Sequence, residues 1–430
     1  MSDMPKWTVN RRQFLKTSGI GAAAMAAPAF LFSKQPVSNS IKVGLVGCGG
    51  RGTGAAVQAL RADPNVEITA LADIFEDRLS GALHALQQVD AKRVKVDSQH
   101  RFVGFDSYQQ LIDSGVDVVL LASPPYFRPM HLAAAVEAGK HVFFEKPVAV
   151  DIPGIRRVLE AVKVSKEKNI ALVSGFCFRY DYRKRALFEK IKQRAVGEVL
   201  SLSSFRFGGE LPFQSRQPSW SDLVYRLRNW HYYNWLSGDI IVEQSIHSLD
   251  MMLWAMGGRL PYKAIGTGGR QVRVDEKYGN IYDHFAVEFE FQNGVKGYHF
   301  TRQQPGCTNR NSVDIIGSEG TASIEVGRKY VITGAKPWSY DGPTNNMYQT
   351  QHNELFASIK AGKPINDGLW AANSTILAIL STMAGYSGKE ITWEQAMASD
   401  VTFGPPLDAF DWDTQWPTPA VATPGLTKVL

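Results

Sequence analysis

From Ile41 onward, short apolar runs alternate with longer stretches in which small or charged residues interrupt the apolar ones. Ile41 to Val46 is an apolar, β-branched run, the pattern of a strand buried on both faces. Val66 to Leu71, Val116 to Ala122 and His141 to Phe144 read as strands in the same way. Between them, Thr53 to Arg61 reads as a small-residue helix and His131 to Gly139 as a second helix. Beyond them, in the second domain, Asp151 to Lys168 has the spacing of a charged amphipathic helix and Ile170 to Ser174 reads as a strand. Strands alternating with helices predict βαβ units around a parallel sheet.

The pattern changes further along. Phe285, Val287, Phe289 and Phe291 alternate with Glu288, Glu290 and Gln292, which predicts a strand with one face buried. Asn293-Gly294 is a hairpin signal leading into a partner strand, Val295 to Arg302. Further strands are expected at Val313 to Ile316 and Ala322 to Val326, with helices near Gln351 to Ala361 and Ala371 to Tyr386. The Pro-rich tail from Gly404 is expected to wrap the surface or a neighbouring subunit. These patterns divide the chain into a domain at 40–150, a second at 151–403 and a tail at 404–430.

Residues 1–39 stand apart. Arg11 and Arg12 precede an apolar, small-residue stretch from Gly19 to Phe32, as in a twin-arginine signal for export of an already folded protein. Ala27-Pro28-Ala29 and Ala24-Met25-Ala26 both fit a cleavage site. The stretch is short and rich in Ala and Gly, so no stable membrane span is expected after processing. The expected location is therefore periplasmic or otherwise outside the cytoplasm. The net charge of +6 shrinks once residues 1–29 are set aside, leaving 43 basic against 40 acidic residues. That balance argues against a nucleic-acid partner. Cys48, Cys177 and Cys307 form neither a disulfide framework nor a zinc pattern, and no metal site is expected.

The chemistry gathers where strands end. Gly47-Cys48-Gly49-Gly50-Arg51-Gly52 follows the first strand and opens a helix, matching G-x-G-x-x-G in its strand–loop–helix context. Such glycines allow a tight turn and close approach of a pyrophosphate to the helix N-terminus. Asp73, at the end of the second strand, is placed to accept from ribose hydroxyls. It would repel a 2′-phosphate, favouring NAD, while Arg78 leaves NADP open. Ser123-Pro124 and Glu145-Lys146-Pro147 also sit at strand ends, where a doubly wound sheet binds its ligand.

Ala138-Gly139-Lys140-His141-Val142, followed by Glu145-Lys146-Pro147, resembles the glucose–fructose oxidoreductase/inositol dehydrogenase (Gfo/Idh/MocA) family. The resemblance implies a Rossmann domain followed by an α/β domain with a large, mostly antiparallel open sheet that often packs against a second subunit, so a homo-oligomer is expected. It implies that Lys146 lies between substrate and nicotinamide, with Glu145 facing the cofactor or orienting that lysine. The family's downstream Asp-x-Gly-x-His pattern corresponds to Glu243-Gln244-Ser245-Ile246-His247, with Glu for Asp and Ser for Gly. If 241–256 is one helix, Glu243, His247 and Asp250 share a face, and a carboxylate orients the histidine as a proton acceptor.

Arg179 and Tyr180 are candidates for substrate contact or for a structural role. Trp220, Tyr225, Trp230, Tyr232, Tyr233 and Trp235 crowd together with Arg226, Arg228, His231 and Asn234. Trp230, His231 and Tyr233 suit a carbohydrate cleft, although such a cluster equally fits a core or dimer contact. The leading expectation is an NAD(P)-dependent oxidoreductase for a sugar, glycoside or polyol, with a tightly bound cofactor because an exported enzyme has no cytoplasmic pool to draw on. The alternatives are an NAD-dependent glycosidase, working by transient oxidation, elimination and rereduction, and a non-catalytic sugar- or nucleotide-binding protein.

Overall fold

The computed structural model describes residues 40–407 and 410–430; the twin-arginine segment lies outside them. Six parallel strands form the first sheet: β1 (Ile41–Val46), β2 (Val66–Asp73), β3 (Arg101–Val103), β4 (Val118–Leu121), β5 (His141–Phe144) and β6 (Leu172–Ser174). Their order, β3-β2-β1-β4-β5-β6, is that of the doubly wound dinucleotide fold. The reversal of winding direction falls between β1 and β4, which pair directly. The apolar runs explain the arrangement: Val118–Leu121 is buried at every position, as a strand covered on both faces requires. β6 pairs with β5, so this sheet continues beyond residue 150 through the helix Ile152–Glu167.

The second sheet has nine strands: β7 (Val199–Gly208), β8 (Lys263–Gly269), β9 (His284–Glu290), β10 (Lys296–Gln303), β11 (Arg310–Gly317), β12 (Gly320–Glu325), β13 (Lys329–Gly334), β14 (Trp338–Ser339) and β15 (Ile391–Thr392). The order is β14-β13-β12-β11-β7-β10-β9-β8-β15. Only the β7–β10 pair is parallel. The Asn293-Gly294 hairpin joins β9 to β10 as expected. β7 escaped the hydropathy reading because its inward positions include Ser204, which is fully buried. The Ser204 hydroxyl lies 2.7 Å from His299 Nδ1 and 2.9 Å from Met252 Sδ, so a polar side chain is satisfied within the core.

The expected helix over 241–256 is broken. Asp239–Glu243 and Ile246–Ala255 are separate helices, with Gln244 and Ser245 between them. The entry turn is unusual, since Gly238 and Asp239 both have positive φ, 77° and 75°. The buried Asp239 carboxylate accepts from Tyr282 N (2.8 Å), Ile240 N (2.5 Å) and Tyr386 Oη (2.5 Å). Those three bonds hold a conformation that a non-glycine residue seldom adopts.

The second half of the chain also grips the first sheet. Helix Met347–Lys360 packs beside Gly50–Ala62, with Lys360 Nζ 2.6 Å from Asp63 and Gln349 Nε2 2.9 Å from the Gln58 carbonyl. The tail lies on the protein's own surface: Tyr126 Oη donates to the Pro405 carbonyl, Tyr282 Oη to that of Ala422 (2.7 Å) and Ser399 Oγ to that of Val429 (3.1 Å). All three cysteines are free, and Cys48 and Cys177 are buried.

Candidate active site

The glycine loop has the local structure its sequence requires. Gly47 sits at φ +94°, and a Cβ there would come within 2.6 Å of the Ala122 carbonyl carbon. A Cβ on Gly52 would lie 1.9 Å from the Gly47 carbonyl oxygen. By contrast, nothing stands within 4 Å of a Cβ placed on Gly49 or Gly50, where the chain enters the helix Gly50–Ala62. No side chain caps that helix start and its first turn has no acidic residue, so its first N–H groups are free to meet an anion.

Asp73 closes the loop from the neighbouring strand. Its carboxylate accepts from Cys48 N (2.6 Å) and Phe75 N (2.9 Å). Burial pushes its pKa up, opposed by those two backbone donors. Asp73 lines a narrow slot of about 60 Å³ with Gly47, Ile74, Phe105, Ser123, Pro124 and Phe127 among others. An open glycine cradle, an uncapped helix start and an acidic strand end beside an apolar slot fit an adenosine diphosphate moiety. Gly49, Gly50, Arg51 and Asp73 would hold it.

A larger cavity of about 410 Å³ adjoins at Ser123. Arg51, Ser123, Glu145, Lys146, Trp230, His231, Glu243 and His247 all line it. Glu145 faces the glycine loop, pairing with Arg51 Nε, while its Oε2 accepts from the Lys146 backbone N at 3.1 Å. Arg51 also donates to Gln58 Oε1 at 3.1 and 3.2 Å. Lys146 Nζ donates to Glu243 twice, to the backbone carbonyl at 2.6 Å and to Oε1 at 3.0 Å. Burial raises the Glu243 pKa, but the Lys146 ammonium and His231 outweigh it, and the net value is lowered. Glu243 thus orients the lysine rather than His247.

His247 lies between Phe178 and Phe176, at 4.7 and 5.9 Å between ring centroids. Its Nδ1 is buried without a hydrogen-bond partner, so Nε2 is the ring nitrogen left to the cavity. Burial, then the charges of Lys146, Arg206 and Lys184, hold its pKa well below the ordinary histidine value. Both effects favour the neutral imidazole, the form that can accept a proton. Asp250 takes no part, because its carboxylate accepts from Arg179 Nε (2.9 Å) and Nη2 (2.8 Å) and from Ser374 Oγ (2.7 Å).

Three expected contact residues lie away from the cavity. Arg179, clamped on Asp250, stacks between Trp254 and Trp370 at 4.4 and 4.6 Å. Tyr180 is buried and donates to Asp367 at 2.7 Å. Tyr233 is buried in the core, as are Tyr232 and Trp235, so the aromatic cluster divides. Trp230 and His231, stacked at 3.7 Å, line the cavity, while its buried members fill the core. Burial also lowers the His231 pKa, and Lys146 adds to this while Glu243 opposes it.

Four lining residues were not anticipated: Arg128, Arg206, Asn311 and Tyr348. Arg128 follows the Ser123 strand end closely enough to have been noticed. Its guanidinium donates to the Ser123 and Pro147 carbonyls and ties the β4 and β5 ends together. Arg206 and Asn311 meet only through the β7–β11 register, and Tyr348 arrives on a helix far along the chain from Arg51, the loop residue it faces. Among the described residues, no group of three His, Cys, Asp or Glu side chains could hold a metal ion.

A dinucleotide fold opening into a cleft with a paired lysine and a neutral histidine defines an NAD(P)-dependent oxidoreductase. Comparison with known proteins agrees. Residues 41–173 match the oxidoreductase family with an NAD-binding Rossmann fold (GFO_IDH_MocA) and residues 185–323 match the GFO/IDH/MocA C-terminal domain. The chain belongs to the GFO/IDH/MocA family. Residues 8–28 match the twin-arginine translocation signal sequence, and among the described residues no helix is long and apolar enough to cross a membrane.

A myo-inositol 2-dehydrogenase of Thermotoga maritima is 25% identical over 284 residues, 65% of this chain and 74% of that protein. An inositol 2-dehydrogenase of Rhizobium meliloti is 24% identical over 351 residues, 77% of this chain and 94% of the other. Among solved structures, a levoglucosan dehydrogenase in complex with NADH and levoglucosan superposes with a TM-score of 0.65 at 18% identity, over 82% of this chain and 99% of the other.

Proposed function

We propose that this chain is an exported oxidoreductase that moves a hydride between a hydroxyl carbon of a sugar, glycoside or polyol and a tightly held nicotinamide. The observation that carries the proposal is the convergence of Lys146 and His247 on one cavity that begins at the glycine loop. Lys146, steadied by Glu243, donates to the reacting oxygen and stabilises its developing negative charge. His247 accepts the hydroxyl proton at Nε2. Trp230 offers an aromatic face to the apolar C–H side of a sugar ring. The nicotinamide, when bound, supplies the hydride acceptor. Inositol and levoglucosan, named for relatives, are polyhydroxylated rings of a size this cavity suits.

The placement of the tail supports retention of the cofactor. Phe410 packs edge-on to Phe105 and Phe127 at 4.9 and 5.5 Å, and Trp412 lies 4.6 Å from Phe105 and 5.9 Å from Phe75. Phe105 and Phe127 line the slot beside Asp73. Arg228 adds a pair to Asp77, at 2.8 and 2.9 Å, over the Phe75 ring. A cofactor strapped in this way travels with the folded protein through the export machinery to the periplasm. The open second sheet, with Leu200, Ile265 and Ile316 about half exposed, supports a homo-oligomer.

The test is to purify the protein without added cofactor, record bound nicotinamide by absorbance, and screen sugars and glycosides for a change in that signal. Bound NAD(H) or NADP(H) that responds to a sugar is expected. A protein that neither carries nor takes up a nicotinamide nucleotide refutes the proposal. Release of a free aglycone without net reduction would show the glycosidase reaction instead, and binding without turnover a non-catalytic role.

A further inference from the structure

We infer that the substrate carries a carboxylate, received by Arg206 and Asn311 on the second-sheet wall of the cavity. The inference rests on the reading above only in taking this cavity as the substrate site.

Arg206 and Asn311 are direct cross-strand partners on β7 and β11, so their side chains rise from the same face of the sheet. Both line the cavity with Lys146 and His247. The charges of the cavity do not balance. Arg51 is paired with Glu145, and Lys146 with Glu243. Arg128 is spent on two backbone carbonyls. Arg206 has one side-chain hydrogen bond, from Nη2 to Gln244 Oε1 at 3.2 Å. Among the described residues no carboxylate forms an ion pair with it. Glu243, the acid whose charge acts on Arg206, already has its oxygens bonded to Lys146 and Gln244.

A half-buried guanidinium without a counter-charge is costly unless an anion joins it. The Arg206 donors are a planar fork, the shape that takes a carboxylate on two oxygens. Asn311 adds a further donor. Its Oδ1 accepts from Ser248 Oγ at 3.4 Å, which leaves Nδ2 for the ligand. Gly208 keeps the space beside the fork open, because a Cβ there would sit 3.2 Å from Arg206 Nη1.

The same carboxylate would assist the chemistry. The charges of Lys146 and Arg206 both weaken His247 as a base. An anion seated on Arg206 offsets that field, so an acidic substrate strengthens the base that acts on it.

The test is binding to the cofactor-loaded full chain, measured by calorimetry with matched pairs: D-glucuronate and D-glucose, D-galacturonate and D-galactose, D-gluconate and D-glucitol, with D-glucose 6-phosphate alongside. At least one acid should bind about 10- to 100-fold more tightly than its neutral partner, as expected for hydrogen bonds to charged groups. Arg206→Gln should bring that ratio close to one, and Arg206→Lys should keep part of it. Equal or weaker binding of every acid overturns the inference, as does an unchanged ratio in Arg206→Gln. Preference for the phosphate overturns the carboxylate assignment. Tight acid binding with no nicotinamide reduction on any sugar refutes the oxidoreductase reading but supports this subsite. Oxidation of neutral sugars in preference to their acids does the reverse.

Discussion

Glu243→Gln separates the charge of this residue from its shape. In the native protein Lys146 Nζ lies 3.0 Å from Glu243 Oε1, and both side chains are largely buried. At an effective dielectric of about 20, two unit charges at that distance attract by about 5 kcal/mol. Glutamine keeps a hydrogen-bond acceptor, and Lys146 keeps the Glu243 carbonyl at 2.6 Å. The net loss should therefore be about 2–3 kcal/mol. Applied to the positioning of Lys146 in the transition state, it lowers kcat/KM by about 30- to 150-fold. Steady-state kinetics on any accepted sugar reads this, and denaturant unfolding reads stability. The pH dependence has a defined sign. The folded pKa of Glu243 is lowered, so its stabilisation is present above the unfolded value of about 4.3 and is lost as pH falls through the folded one. Glu243→Gln should therefore show a shallower loss of stability below about pH 4. A variant with kcat/KM within about threefold of wild type would refute the reasoning, because a pair worth this much cannot be broken silently at the reacting atoms.

Lys146→Met should cut kcat by about 1,000-fold while nicotinamide binding, read by fluorescence, persists; near-normal turnover would remove the lysine from the chemistry. Because His247 is held neutral by burial and neighbouring cations, kcat/KM should show no acid limb near pH 6.5, and a limb there that disappears in His247→Asn would contradict that field. Arg179→Met strips the buried Asp250 of its bidentate partner and should cost about 3–5 kcal/mol in unfolding free energy, with KM little changed because neither residue lines the cavity. Trp412→Ala removes ring contacts to Phe75 and Phe105 worth about 0.5–1.5 kcal/mol each, and should speed cofactor loss on dialysis about tenfold; retention unchanged from wild type would show that the tail is no strap.

Most of the first sheet was legible because five of its six strands announce themselves as apolar runs, whereas β3 (Arg101–Val103), an edge strand with exposed ends, carries no such run and was missed. Ile41–Val46 and His141–Phe144 match to the residue. The glycine loop, Asp73 and Glu145-Lys146 were legible because a dinucleotide fold puts its chemistry at strand ends, a local property. The histidine segment was read as one helix because its spacing is helical throughout. The structure instead breaks it at Gln244 and Ser245, after a short helix whose first residue, Asp239, is held by Tyr282 and Tyr386 from distant elements. Arg179 and Tyr180 were misplaced for a similar reason: whether an arginine meets a ligand or a buried aspartate depends on what packs opposite it.

The sequence alone pointed to a Rossmann nucleotide-binding region and an export address, and its resemblance to the family pointed to Lys146 and His247 as the chemistry to look for. The strands, the glycine loop and the twin-arginine segment are written in local spacing, where periodicity and turn geometry act over a few residues. The tertiary structure decided the partnerships: Glu243 with Lys146, Asp250 with Arg179, Arg206 beside Asn311, and the tail over the slot at Asp73. Those depend on sheet register and on charges buried together from residues distant in sequence, 97 positions apart for Lys146 and Glu243 and 71 for Arg179 and Asp250, and the energy of a buried charge is set by its neighbours in space.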